Sequence, residues 1–294
     1  MKHLQNPIIF IGTGRSGTTI VSEIISRHPH LAYPSNYNDK FPNSKNINLL
    51  RLLFDNPLWK IYGQKKQLNK TPFLNKYFFN PHEAYEMWDH ITGKDIDFSK
   101  SFLLEDSLTE DRIHIIRDYF NAMVKLQNKK RLIFKITGPS RITFLSKIFP
   151  DAVFINLKRN RIPTISSFLK VKFWQTRGIN KLWWTGAYDD NEQKWAKENA
   201  SNGPLLTAFQ LNKIDETTNS ERHKIQPKYL EVHYEDFVAN PEKILETIIE
   251  FTNLSPFNYK KYLKKVKIFN RNKKDSEYFS DEDLTMIYQI IENN

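Results

Sequence analysis

The 294-residue chain contains no cysteine, which excludes disulfides and thiolate metal sites. Such chemistry suits a reducing compartment, and the expected location is cytoplasmic. No apolar run approaches the roughly 20 residues needed to span a bilayer. The N-terminus lacks the long apolar core of a secretion signal, because Ile8–Ile11 is short and runs straight into glycines. Glycine is scarce, with nine in the whole chain, yet Gly12, Gly14 and Gly17 fall close together. Acidic residues are outnumbered, 33 Asp and Glu against 44 Lys and Arg, for a formal net charge of +11. A balance of that sign favours anionic partners, although the lysines are spread along the chain. At 39% hydrophobic, the chain can bury a sizeable core.

The glycine cluster carries the strongest signal. Ile8–Ile11 is long enough for one buried strand, and Gly12-Thr-Gly-Arg-Ser-Gly-Thr-Thr19 leads into a helical pattern over 18–27. A strand, a glycine turn and a helix aim free backbone N–H groups at an anion. Gly12, Gly17, Thr18 and Thr19 have the spacing of a P-loop, with Thr18 at the lysine position. The cation of the turn is Arg15 instead.

Further strands are read at Arg131–Ile136, Ala152–Leu157 and Lys228–Tyr234. Helical patterns lie between them: 47–54, 81–90, 107–126, 140–149, 163–171 and 241–251, with 281–290 closing the chain. Pro163 is read as a first-turn proline. Residues 32–45 read as a loop, and 60–76 as basic and irregular. This alternation indicates an α/β fold with a P-loop NTPase-like parallel sheet flanked by helices. One domain over 1–294 is expected, with insertions at about 32–128 and 174–226 and a basic segment at 259–294. Ligands of such sheets bind at the carboxyl ends of strands. Gly12–Thr19, Lys135–Pro139 and Lys158–Arg161 all stand at such ends.

Arg159 and Ser167, eight residues apart, can grip a phosphate from two directions. Arg271 and Lys273 form a second cationic cluster, readable equally as a solvated tail. Glu235-Asp236 follows a strand, where an acidic pair can hold magnesium or merely shape a turn, with Asp236 supporting a backbone amide. The histidines show no metal-ligand spacing. These residues point to an anion site at the sheet's carboxyl edge, with a nucleotide kinase or NTPase with a deviant P-loop and a polyanion-binding module both open.

Phe-Ile-Gly-Thr-Gly-Arg-Ser-Gly-Thr-Thr with the following His-Pro (10–29) resembles the 5′-phosphosulfate loop of sulfotransferases that use 3′-phosphoadenosine-5′-phosphosulfate. The branch it resembles has an Arg-Ser-Gly-Thr-Thr loop and includes protein-tyrosine sulfotransferases and many bacterial enzymes. Phe149-Pro-Asp-Ala-Val-Phe-Ile-Asn-Leu-Lys-Arg159 with Ser167 is similar to the family's 3′-phosphate motif. Phe134-Lys135 with Pro139 resembles its strand-end lysine segment, and His233–Pro241 its tyrosine–acid–acid segment. The resemblance implies that Gly14, Arg15, Ser16, Gly17, Thr18 and Thr19 hold the 5′ end of the donor. Arg159 and Ser167 would hold the 3′-phosphate, with Arg271 and Lys273 as further donor contacts. Lys135, with Arg15, would face the transferring sulfuryl group. No metal is required, which accounts for the missing P-loop lysine.

One departure concerns the acid that activates the acceptor. In relatives a glutamate follows the His-Pro by a few residues, whereas this chain has Ser35-Asn36. Neither is a base of suitable strength. Glu83, read at the start of a helix beside Trp88, is the leading replacement, followed by Asp39 and Glu105. The expected acceptor is a glycan or small molecule rather than nucleic acid, with Tyr33, Tyr37, Trp88, Trp183 and Trp184 as aromatic surfaces on which sugars could stack.

Overall fold

A computed structural model describes residues 4–55, 77–104, 108–225, 228–264, 266–272 and 278–292. The basic stretch 60–76 lies outside them, as do Glu105 and Lys273. In chain order the elements are β1 (Ile8–Ile11), α1 (Thr18–Ile25), β2 (Leu31–Ala32), α2 (Asn36–Lys40), a 3₁₀ turn (Lys45–Leu49), α3 (Leu50–Phe54), α4 (Tyr85–Thr92), α5 (Glu110–Leu126), β3 (Arg131–Lys135), α6 (Ile142–Ile148) and β4 (Val153–Lys158). There follow α7 (Arg161–Leu169), α8 (Lys172–Arg177), α9 (Asp190–Glu198), α10 (Gly203–Ile225), β5 (Lys228–His233), α11 (Tyr234–Ala239), α12 (Pro241–Phe251), α13 (Lys260–Leu263) and α14 (Asp281–Glu292). Among the described residues, no helix is long and apolar enough to cross a membrane.

The five strands form one sheet in the order β2-β3-β1-β4-β5. Every pairing is parallel. Central β1 is buried on both faces, which is why it reads as an unbroken apolar run. Its side chains alternate between two cores. Ile9 and Ile11 join Phe134 and Phe154 under α4, α5 and α6, where Trp88 stacks on Phe98 at 4.4 Å. Ile8 and Phe10 join Ile133 and Ile155 under α1 and α12. A third cluster packs α7, α8, α10 and α14 around Trp174, and an Arg161–Asp215 ion pair ties α7 to α10.

Several expectations are corrected. The segment read as a loop over 32–45 contains α2, preceded by the two-residue strand β2. α2 forms because the Ser35 hydroxyl accepts from the Tyr37 and Asn38 amides while Asn38 Oδ1 accepts from Ser35 N–H at 2.9 Å. Pro163 occupies the third position of α7, where Asn160 caps the first turn and proline's missing N–H is still harmless. Glu83 precedes α4 rather than starting it, since Ala84 turns left-handed at φ 54°. Of the pair after β5, Glu235 rather than Asp236 accepts a backbone amide, Asn160 N–H at 3.1 Å.

Arg141 links the sheet's carboxyl edge to the segment beside it. Fully buried, it donates to the carbonyls of Pro139 (2.7 Å), Ser101 (3.0 Å) and Ser99 (3.5 Å) and lies 4.7 Å from the Phe98 ring. Arg141→Leu strands these carbonyls, each worth about 1–3 kcal/mol when buried and unmet. The expected loss is roughly 2–5 kcal/mol in urea unfolding at unchanged m-value. A loss below about 1 kcal/mol would contradict this role.

Candidate active site

The carboxyl edge of the sheet opens into a cleft of about 640 Å³. Gly14, Arg15, Gly17, Thr18, Thr19, Glu83, Lys135, Arg159, Ser167 and Arg271 all line it. Ser16 does not; it is fully buried behind the turn, its hydroxyl 3.1 Å from that of Thr18.

The turn between β1 and α1 needs its glycines. Gly17 caps α1 with φ 83°, and a Cβ there would stand 2.7 Å from Cδ2 of Tyr234. A Cβ on Gly12 would stand 2.6 Å from the Leu157 carbonyl oxygen, a backbone atom that cannot give way. α1 has no side-chain cap and no acid in its first turn. Its first amides, with the helix dipole behind them, therefore remain for an anion. The end of β3 is latched to this turn by Ile136 N–H to Phe10 O (2.8 Å) and Gly138 N–H to Gly12 O (3.0 Å).

That latch sets Lys135 beside the turn. Its Nζ donates to Thr19 Oγ1 at 3.0 Å and pairs with Glu83 Oε1 at 2.6 Å. The other Glu83 oxygen accepts from the Thr137 hydroxyl at 2.8 Å and the Thr137 amide at 3.3 Å. Burial alone would push the Glu83 carboxyl up. The Lys135 charge and the hydrogen bonds from Lys135 and Thr137 outweigh it and hold the group below the usual carboxylate range. Glu83 is therefore ionised at neutral pH. Tyr85 fixes the same turn by donating to Thr137 O at 2.6 Å, and burial followed by the Glu83 charge drives its phenol well up.

A second cluster sits where β4 meets α7. Arg15, left-handed at φ 57°, donates from Nε to Ser167 Oγ at 3.0 Å. Arg159 donates from Nη1 to Arg15 O at 3.1 Å and from Nε to Asn272 Oδ1 at 2.9 Å. Asn272 in turn donates to Glu235 Oε1 at 2.6 Å. The Arg159 guanidinium lies 4.8 Å from the Tyr234 ring, and Tyr234 is held by its hydroxyl donating to Phe269 O at 2.6 Å. Arg15 thus stands with Arg159 and Ser167, while Lys135 and Glu83 form a separate pair.

Of the other acid candidates, Glu105 lies outside the described residues. Asp39 accepts from Glu86 N–H at 3.1 Å and lies 3.8 Å from His82, outside the cleft lining. Ser35 is buried as the α2 cap. Of the proposed sugar-stacking aromatics, Trp88 is fully buried in the core, Tyr33 is buried under Arg51 and Tyr37 packs on Phe79. Trp183 and Trp184 do line the cleft. Sequence reasoning missed Tyr85 and Asn272, and named Tyr234 only as part of the tyrosine–acid–acid segment. Asn272 was hidden among the cations of 271–274, although Asn between Arg and Lys is itself a polar signal. Among the described residues, no group of three or more His, Asp or Glu could hold a metal ion.

A parallel α/β sheet whose first strand runs through a glycine-rich turn into a helix defines a P-loop-like fold. The model of the sulfotransferase family matches residues 7–258. The chain belongs to that family. It is 26% identical over 254 residues to protein-tyrosine sulfotransferase 1 of Danio rerio, covering 86% of this chain. It spans only about half, 54%, of that relative's length. The fold is similar to sulfotransferase STF9 from Mycobacterium avium (TM-score 0.55, 13% identity, 99% of this chain and 77% of that one). It is also similar to the sulfotransferase domain of the Synechococcus PCC 7002 olefin synthase (TM-score 0.52, 16% identity, 99% and 95%).

Proposed function

We propose that the protein transfers a sulfuryl group from 3′-phosphoadenosine-5′-phosphosulfate to a hydroxyl of a carbohydrate or small-molecule acceptor. The observation that carries this reading is the placing of the two clusters on one cleft, on either side of an uncapped helix N-terminus. The residues fit the donor. The amides of the 14–19 turn suit its 5′ end, and Arg15, Arg159 and Ser167 suit its 3′-phosphate. Thr18 at the P-loop lysine position fits a donor that carries no triphosphate. Arg271 lines the same cleft, and Lys273 extends the expectation beyond the described residues.

Bound there, the donor supplies a sulfur–oxygen bond to phosphate that breaks as the acceptor oxygen bonds to sulfur. Lys135 meets the charge that develops on the oxygens at that bond, with the α1 amides beside it. Glu83 is ionised and poised to accept the acceptor's proton. Thr137 and Tyr85 hold the carboxylate and its strand end in place. Arg15, Arg159 and Ser167 position the nucleotide and take no part in the proton transfer.

The test is calorimetry with adenosine 3′,5′-bisphosphate. Arg159→Ala removes a charge-assisted contact worth about 1.5–3 kcal/mol, hence roughly ten- to a hundredfold in affinity. Unchanged affinity in this variant would remove the 3′-phosphate assignment.

A further inference from the structure

Ser99, Lys100, Trp183 and Trp184 form a further wall of the same cleft. Two chain segments are zipped together there, Phe102 N–H to Thr185 O at 2.9 Å and Thr185 N–H to Lys100 O at 3.1 Å. Arg141 holds Ser99 and Ser101 from behind. Trp184 is buried against Gly138, where an added Cβ would stand 3.0 Å from its Nε1. The wall is therefore rigid, and it begins at the strand end that carries Lys135.

Its rim presents positive charge. The Arg177 guanidinium lies 4.8 Å from the Trp183 ring, and the Lys100 ammonium 5.3 Å from the same ring. An indole holding two cations is a poor platform for a sugar face, but it fixes those cations in direction and lowers the entropy lost when they bind. Lys100 shares its charge with Asp97 at 3.3 Å. Arg177 is exposed, and among the described residues no ion-pair partner accompanies it. Glu86 also lines the cleft. Glu83 is already taken up by Lys135.

We infer that Arg177, with Lys100 beside it, recognises an anionic substituent on the acceptor, and that the acceptor is an acidic carbohydrate bearing a carboxylate or sulfate near the reacting hydroxyl. This rests on the sulfuryl-transfer reading above. A planar guanidinium pairs bidentately with carboxylate or sulfate, and fixing that group orients the hydroxyl toward Glu83. The carbohydrate is favoured over an extended peptide because the wall's main chain is already paired across Phe102, Thr185 and Lys100. It offers side chains to an acceptor rather than a strand edge for backbone pairing.

The experiment uses the full chain, labelled donor and three acceptor sets: uronate-bearing oligosaccharides, the same oligosaccharides with methyl-esterified carboxylates, and acidic tyrosine peptides. Binding of each set to the bisphosphate-loaded protein is measured alongside transfer. Expected is transfer to an acidic oligosaccharide, reduced at least about tenfold by esterification. Arg177→Glu should raise KM for that acceptor about ten- to a hundredfold, with kcat and bisphosphate affinity changed less than about threefold and Arg177→Lys intermediate. Equal use of the esterified sugar, transfer to the peptide alone, an unmoved KM in Arg177→Glu, or bisphosphate binding with neither binding nor transfer of any acidic sugar would each overturn the inference and leave the donor site standing. Failure to bind the bisphosphate at all would bring down the sulfuryl-transfer reading, and the inference with it.

Discussion

Replacing Glu83 by Gln should lower kcat by about 10²- to 10⁴-fold, the range for losing a positioned general base. Gln keeps the shape and can still accept from the Thr137 hydroxyl, which stands 2.8 Å from the carboxylate. Affinity for adenosine 3′,5′-bisphosphate should therefore persist. The pH profile separates a base from a mere anchor. In the parent protein, activity should fall in acid as the carboxylate takes up its proton, below the usual range because Lys135 holds the group down. That acid limb should vanish in the Gln variant. Near-parental kcat, or an unchanged limb, would move the base elsewhere. The same ion pair contributes to folding. A depressed carboxyl adds stability that is present above its unfolded pKa and lost as pH falls through its folded value, so Glu83→Gln should flatten stability in acid.

Lys135→Ala should cost about 10²- to 10³-fold in kcat, the scale for removing one donor that meets developing charge. It should have a second effect that a loss of folding would not mimic. Without the Lys135 charge, burial dominates at Glu83 and raises its pKa. The acid limb of kcat in the residual activity should then move to higher pH. A variant with normal kcat and an unmoved limb would show that the 2.6 Å contact between Lys135 and Glu83 is only structural. Thr19, whose hydroxyl Lys135 also touches at 3.0 Å, gives a milder version of the same experiment.

What the sequence disclosed follows from how local each signal is. β1, β3 and β4 were legible because each is a continuous run with apolar residues at its centre, as parallel strands buried between helices require, whereas the edge strand β5 buries only Val232. β2 is two residues long and carries no period; it exists because Leu31 and Ala32 pair with Arg131 and Leu132. α2 is built from Asn, Tyr, Asp and Lys, and a capping box rather than helix propensity makes it form. The anion turn was readable because its glycines, its cation and its helix are neighbours in the chain. Glu83 was named as a candidate base by elimination, but its partners were not legible, since Lys135 and Thr137 lie 52 and 54 residues away. Arg15 shows how far a neighbour in sequence can reach in the fold. Nearness in sequence suggested a place at the sulfuryl group, and a left-handed backbone turns it to Ser167, 152 residues on.

The aromatic residues were the least legible. Trp88 and Trp183 look alike in sequence, but one fills the core against Phe98 while the other bears Arg177 and Lys100 at the cleft. Only the chain's topology decides which ring is packed and which is presented.

On the proposed function, the two clusters together read a nucleotide with a 3′-phosphate and a 5′-phosphosulfate. Calorimetric titration with adenosine 3′,5′-bisphosphate, adenosine 5′-phosphate and magnesium–ATP tests it most directly. The bisphosphate should bind about ten- to a hundredfold more tightly than the 5′-phosphate, without magnesium, and more tightly than magnesium–ATP. Magnesium-dependent ATP binding as tight as that of the bisphosphate, or no preference for the 3′-phosphate, would contradict it.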